Sequence, residues 1–206
     1  MHGSPSRLFV IAAPSGAGKT TLVKALTTRN PELRFSISYT TRLQRRNEAD
    51  GVDYLFVDKA EFDRLLAAGA LLESAEVFDN FYGTSREQVE QHLAAGHHVI
   101  LEIDWQGARQ VRKAKPDCIT VFILPPSREE LERRLRSRGT DTQKVIERRL
   151  RDALSDMSHW DEFDYVIFND DLDEAVADLE AVLGGRGAAS ATGNPAVREA
   201  ASGLLD

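Results

Sequence analysis

The sequence predicts an α/β fold: a mostly parallel sheet covered by helices on both faces, with a small inserted lobe and a helical, arginine-rich lid. Three observations predict it. The segments Leu8–Ala12, Val99–Asp104, Cys118–Leu124 and Tyr165–Phe168 are apolar runs with little alternation, as befits strands buried on both faces. Stretches with helical spacing separate and follow them, and strands alternating with helices build parallel sheets. Residues 35–96 interrupt that alternation with short strands, which marks an inserted lobe. Ligands of such folds bind beyond the carboxyl ends of the strands.

The first strand runs directly into Ala13-Pro14-Ser15-Gly16-Ala17-Gly18-Lys19-Thr20, and the helical run Thr21–Leu26 follows. Gly16 and Gly18 permit a tight turn in which successive N–H groups face one anion. The helix start adds partial positive charge, Lys19 a full one, and the Thr20 hydroxyl suits a magnesium ion. The phosphate-loop pattern G-x-x-x-x-G-K-[ST] is kept except for Ala13 in the first position. A plain Gly-rich turn before a helix is the competing reading. The buried strand before the loop and the helix after it favour nucleotide phosphate.

Pro31 closes this first unit. Phe35–Tyr39 alternates like a half-buried strand, and Tyr54–Val57 is another short one. Asp58 and Glu61 cap a helix with Phe62, Leu65 and Leu66 as its apolar stripe and Gly69 as its stop. Ala70–Phe78 leads to a turn-prone point at Asn80-Phe81-Tyr82-Gly83. Thr84 with Glu87 reads as a capping box opening a helix that ends at Gly96. Pro125-Pro126 stops the third core strand, and Ser127 with Glu130 opens a helix whose Leu131 and Leu135 face the core. Leu172, Val176, Leu179 and Leu183 share one face of the last long helix, which Gly184-Gly185 ends. Met1–Ser6 and residues 185–206 read as flexible tails, the latter disordered or weakly helical, because few large apolar groups remain there to offset ordering.

With 206 residues, 42% hydrophobic and 29% charged, the chain suits one sizeable soluble core with a small lobe. A net charge of -7 argues against general nucleic-acid binding. The single cysteine, Cys118, excludes an intramolecular disulfide and suits a reducing compartment. No secretory leader or membrane span is evident, so a cytoplasmic location is expected. His92, His97, His98 and His159 lack metal-ligand spacing, so zinc is not expected. No feature separates a monomer from a homo-oligomer.

Cations and acids supply the remaining signals. Arg133, Arg134, Arg136 and Arg138 crowd one helix, and Arg148, Arg149 and Arg151 follow a flexible turn at Gly139–Thr142. Arg134 and Arg138 share a face. Such a helix pair is able to close over a triphosphate and neutralise charge as it develops; a solvated face paired with Glu129, Glu130 and Glu132 is the plainer reading. Arg42 and Arg45 suit bidentate capture of a second phosphate. Glu102 and Asp104 end a core strand on one face, placed to orient metal-bound water or ribose hydroxyls, or simply to solubilise the strand end.

Together these blocks resemble the guanylate kinase family over about Arg7–Gly184. The resemblance rests on Ala13–Thr20, Ser38-Tyr39-Thr40-Thr41-Arg42, Gly51–Val57, Asn80–Thr84, Ile103-Asp104-Trp105-Gln106-Gly107, Pro125-Pro126-Ser127, Arg134–Gly139 and Asn169-Asp170-Asp171. It implies a core of 7–34 and 97–184, an inserted GMP-binding lobe at about 35–96 and a lid at about 127–152. It implies transfer of the γ-phosphate of ATP to GMP, giving ADP and GDP, in purine nucleotide metabolism, with Mg²⁺ and with ATP and GMP as the partners.

By resemblance, ATP is held by Ala13 through Thr20, Arg134, Arg138, Asn169 and Asp170. GMP phosphate falls to Arg42, Arg45, Tyr54 and Tyr82. Guanine falls to Ser38, Glu73 and Thr84, next to Gly83, with Glu102 and Asp104 nearby and toward the metal, which Thr20 ligates. Lys19, Arg134, Arg138 and Arg149 carry the transfer. The loop Gln44-Arg45-Arg46-Asn47-Glu48 departs from the family's Pro-Arg-x-Gly-Glu, leaving Arg45 and Arg46 as alternative phosphate contacts. Glu102 replaces a common aspartate, and Thr84 a common serine. Thr84 is equally a helix cap. A non-catalytic interaction module and a kinase with a phosphosugar acceptor are the rival readings; the intact Gly18-Lys19-Thr20 opposes the first, and Ser38, Arg42, Glu73 and Tyr82 oppose the second.

Overall fold

The computed structural model describes residues 6–77, 79–137 and 143–205. In chain order the elements are β1 (Leu8–Ala12), α1 (Lys19–Arg29), β2 (Arg34–Phe35), β3 (Ser38–Thr40), β4 (Leu55–Phe56), α2 (Lys59–Ala67), β5 (Leu71–Val77), β6 (Asn80–Ser85) and α3 (Arg86–Ala94). There follow β7 (Val99–Glu102), α4 (Trp105–Ala114), β8 (Ile119–Leu124), α5 (Arg128–Ser137), α6 (Gln143–Met157), β9 (Tyr165–Phe168), α7 (Leu172–Leu183) and α8 (Pro195–Gly203). A five-stranded sheet has the order β2-β7-β1-β8-β9, with β2/β7 and β8/β9 parallel. A second sheet has the order β4-β3-β6-β5 and is antiparallel at β3/β6 and β5/β6. The fold is the expected α/β arrangement of a mostly parallel sheet flanked by helices.

The chain forms two compact units: one of residues up to Val10, 31–101 and 106–118, the other of 11–30, 102–105 and 119 onward. The first is larger than the lobe expected at 35–96, because α4 and most of β7 group with the small sheet. Within it Phe62, Leu65 and Leu71 form a core against which Tyr39, Val57, Ala70 and Phe81 pack. Burying a side chain such as Phe62 contributes about 1.5–3 kcal/mol. Asp58 caps α2 by accepting from the Glu61 N–H, and Gly69 follows at φ 65. In the second unit Leu22 and Leu26 of α1, Phe122, Ile123 and Leu124 of β8, and Leu131 and Leu135 of α5 are fully buried.

Several expectations are corrected. Phe35–Tyr39 is two strands in two sheets, because Phe35 pairs with Ile100 while Ser38 and Tyr39 pair with Thr84 and Gly83. The turn expected at Asn80–Gly83 falls one residue earlier, with Asp79 at φ 63, so Asn80 onward is free to form β6; Phe78 lies outside the described residues. Leu66 and Leu172 point outward; Val182, beside the predicted stripe, is buried in α7 instead. The cap of α3 is Ser85, whose hydroxyl accepts from the Gln88 N–H, because the Thr84 hydroxyl is committed to another partner.

The tail after Gly184 is also ordered where described. Asn194 caps α8 and Pro195 occupies its first turn. Val197 and Ala201 are buried, Arg198 lies over the Trp160 ring at 5.4 Å, and the Arg128 Nε donates to the Leu204 carbonyl at 2.6 Å. Small residues let this helix approach closely, so few large apolar groups suffice. Ser6 is likewise held, its hydroxyl donating to the Leu93 carbonyl. Among the described residues no helix is long and apolar enough to cross a membrane.

Candidate active site

In the second unit, β1 hands the chain to the phosphate loop. Gly16 (φ 94) and Gly18 (φ 89) occupy the left-handed region, and Gly18 precedes the first turn of α1. A Cβ on Gly18 would stand 2.4 Å from the Asn169 Nδ2, so only glycine fits. Asn169, buried at the end of β9, donates through that nitrogen to the Ala17 carbonyl at 2.7 Å. Arg134 donates to the same carbonyl at 3.3 Å and to the Asn169 carbonyl at 3.0 Å. The loop is thus braced from β9 and from α5, and the Ala17 N–H closes it internally on the Pro14 carbonyl.

Lys19 donates to the Ile103 carbonyl at 2.8 Å, and the Thr20 hydroxyl donates to the Glu102 carboxylate. These place the loop's lysine and hydroxyl at the ends of β1 and β7. Thr20 and Glu102 offer hard oxygen donors of the kind Mg²⁺ prefers. Among the described residues no three His, Cys, Asp or Glu side chains gather as a metal cage; Mg²⁺ in phosphoryl-transfer sites uses one or two protein oxygens, with phosphate and water completing its shell. The donor set fits that ion.

Glu130 is held down at about 2 by hydrogen bonds from Arg133 and then Arg134, and it orients Arg134 from below at 2.6 Å. The plainer reading of the charge run therefore holds for Arg133, which forks onto Glu130, and for Arg136, which forks onto Glu132. Arg134 turns inward instead. Arg149 sits half-buried on α6, and Asp170 is exposed just past β9. Arg138 and the turn at Gly139–Thr142 lie outside the described residues.

In the first unit, the strand order β3-β6-β5 lines up three residues far apart in sequence. Ser38 is opposite Thr84, and Thr84 is opposite Glu73. Thr84 is fully buried, Glu73 is 4% exposed, and the Thr84 hydroxyl donates to the Glu73 carboxylate at 2.7 Å. A buried carboxylate is costly unless it is hydrogen-bonded, and the Thr84 hydroxyl supplies such a bond. Gly83 beside it is required by packing: a Cβ there would meet the Leu71 Cδ1 at 2.8 Å and the Phe62 Cζ at 3.2 Å.

A second cluster in the same unit gathers cations and phenols. The Arg42 guanidinium lies 5.3 Å from the Tyr54 ring centroid, and the Tyr54 and Tyr82 rings meet edge-on at 6.0 Å. Glu48 holds Arg42 by a 2.8 Å ion pair and accepts from the Arg45 N–H at 2.8 Å. The hydrogen bond that the Arg42 guanidinium donates to Glu48 raises the Arg42 pKa above its ordinary value. Glu48 thus organises the loop that the sequence pattern left irregular. The Arg45 side chain is largely exposed, 4.0 Å from Glu48.

A sequence model of the guanylate kinase family matches residues 5–185. The chain belongs to that family. It is 56% identical over 179 residues to the guanylate kinase of Alkalilimnicola ehrlichii, spanning 87% of this chain and 88% of that one. It is 57% identical over 176 residues to that of Methylococcus capsulatus, spanning 85% and 86%. The crystal structure of guanylate kinase from Anaplasma phagocytophilum matches with a TM-score of 0.73 at 33% identity, covering 97% of this chain and 95% of that one.

Of the site residues expected for a guanylate kinase, the structure brings together Ser38, Glu73 and Thr84; Arg42, Tyr54 and Tyr82; and, in the other unit, Gly16, Gly18, Lys19 and Thr20 with Glu102, Arg134 and Asn169. Sequence reasoning missed Glu48 as the anchor of Arg42, although its place six residues on was a signal. It also missed Trp105, whose indole N–H donates to Asp156 at 3.1 Å and whose ring stacks on His159 at 3.6 Å. Only the fold brings α6 to Trp105, so no local pattern announced it.

Proposed function

We propose that this member of the guanylate kinase family transfers the γ-phosphoryl group of ATP to GMP, releasing ADP and GDP, by direct in-line displacement. The observation that carries the acceptor is the buried Glu73 carboxylate, aligned with Ser38 and Thr84. Guanine presents N1–H and N2–H₂ side by side, and one carboxylate accepts both. Adenine lacks that pair and would leave a desolvated carboxylate unmatched, which costs on the order of 1–3 kcal/mol or more. In this reading the small sheet is the GMP lobe, with Arg42, Tyr54, Tyr82 and one of Arg45 and Arg46 on the phosphate.

ATP takes the loop Ala13–Thr20, with Arg134, Asn169 and Asp170 bordering it, and α5–α6 serve as the lid carrying Arg134, Arg138 and Arg149. Thr20 would ligate Mg²⁺, and Glu102 and Asp104 would hold it through water. When bound, the ion offsets charge on the phosphates. The acceptor phosphate is largely dianionic near neutral pH, its second pKa being about 6, so no general base is needed. Lys19 and the arginines position the two anions and neutralise charge as it spreads in the transition state. Closure of lobe and lid excludes water. A cytoplasmic setting agrees with the lone buried thiol of Cys118.

The test is ADP release with ATP and Mg²⁺ against GMP, dGMP, AMP, CMP, UMP and a ribose bisphosphate. Strong turnover with GMP and little with AMP is expected. Turnover with the sugar phosphate alone would overturn the acceptor site, and none at all by a folded, ATP-binding chain would favour an interaction module.

A further inference from the structure

We infer that Gln110 is a positioning residue for guanine recognition: its side-chain amide clamps the outer edge of β5 and so sets where the Glu73 carboxylate stands. The inference rests on the reading of Glu73 as the base-reading group.

β5 is the edge strand of its sheet. Its pairing with β6 slips at the critical place: Leu71 is opposite Ser85, yet Glu73 is opposite Thr84, so Leu72 is an extra residue. A bulge bends a strand and loosens its ladder, and here it immediately precedes the carboxylate. Beyond Glu73 the ladder with β6 resumes, and Ser74 offers a second restraint, on the outer edge of the strand.

Both backbone groups of a residue in an antiparallel strand point the same way, and the direction alternates from residue to residue. Those of Ser74 point away from β6. The Gln110 Oε1 accepts from the Ser74 N–H at 3.1 Å, and its Nε2 donates to the Ser74 carbonyl at 2.7 Å. One planar amide thus supplies both bonds that a further strand would have made. Two such bonds fix the roll of the strand as well as its position, and only an amide side chain offers a neutral donor and acceptor in that arrangement. The clamp stands on a firm base, because Ala108 and Val111 of α4 are buried. If Gln110 merely covered an exposed edge, its loss would change stability without changing which base is accepted.

The experiment compares the parent enzyme with Gln110→Ala, Gln110→Glu and Glu73→Gln in steady-state kinetics with GMP, IMP and ATP, alongside thermal melts. IMP lacks the N2 amino group. Gln110→Ala is expected to raise the KM for GMP roughly tenfold and to narrow the GMP-over-IMP preference, with the ATP KM within about twofold. Gln110→Glu, which keeps the acceptor but turns a carboxylate oxygen on the Ser74 carbonyl, is expected to do the same and serves if the alanine variant folds poorly. Parental GMP KM and preference in both Gln110 variants, with Glu73→Gln impaired, would overturn the clamp alone, whatever the melts show. Glu73→Gln with unchanged preference would overturn the base-reading role beneath it.

Discussion

Asp156 shows how a single residue's surroundings become a measurable property. Burial pushes its pKa up to about 6; Asp104 and Asp152 act in the same direction, while the Trp105 N–H and His159 oppose it. An unfolded aspartate titrates near 3.9. Between these values the folded chain holds a proton that the unfolded chain has released, so stability falls as pH rises from about 4 to about 6 and stays lowered above that. Asp156→Asn keeps an oxygen for the Trp105 N–H and removes the charge. It is expected to melt higher than the parent at pH 8, with the difference shrinking toward pH 4.5. A difference independent of pH would contradict the account.

At the scale of elements, the last helix carries the clearest correction. Residues 185–206 were expected to be disordered or weakly helical because they lack a large apolar stripe, and burial of small side chains leaves little periodic signal. Val197→Asp would place a charge at a position only 7% exposed. Detachment of the helix limits the cost to about 1–3 kcal/mol, so a fall in Tm of about 2–8 °C is expected; an unchanged Tm would mean that α8 contributes nothing. The core strands and the phosphate loop were legible because burial on both faces leaves unbroken apolar runs and because tight turns demand glycine. Ser38, Glu73 and Thr84 were found only by likeness to a family. Their meeting depends on strand order and register across β3, β6 and β5, and neither periodicity nor spacing encodes that. The same limit hid the Gln110 clamp and the stacking of Trp105 on His159.

For the molecule as a whole, the chemistry asks an acidic chain of net charge -7 to bind two polyanions. In the proposed mechanism it does so with cations fixed at chosen points, each held by a named partner: Arg42 by Glu48, Arg134 by Glu130, and Lys19 by the Ile103 carbonyl. In the same mechanism, specificity rests on the buried Glu73 carboxylate. The most direct test of that claim is the ratio of kcat/KM for GMP to that for AMP in Glu73→Gln. The account predicts that GMP efficiency falls about 100-fold or more, that the preference over AMP narrows accordingly, and that the ATP KM holds within about twofold. An unchanged preference for GMP in a folded Glu73→Gln enzyme would contradict it.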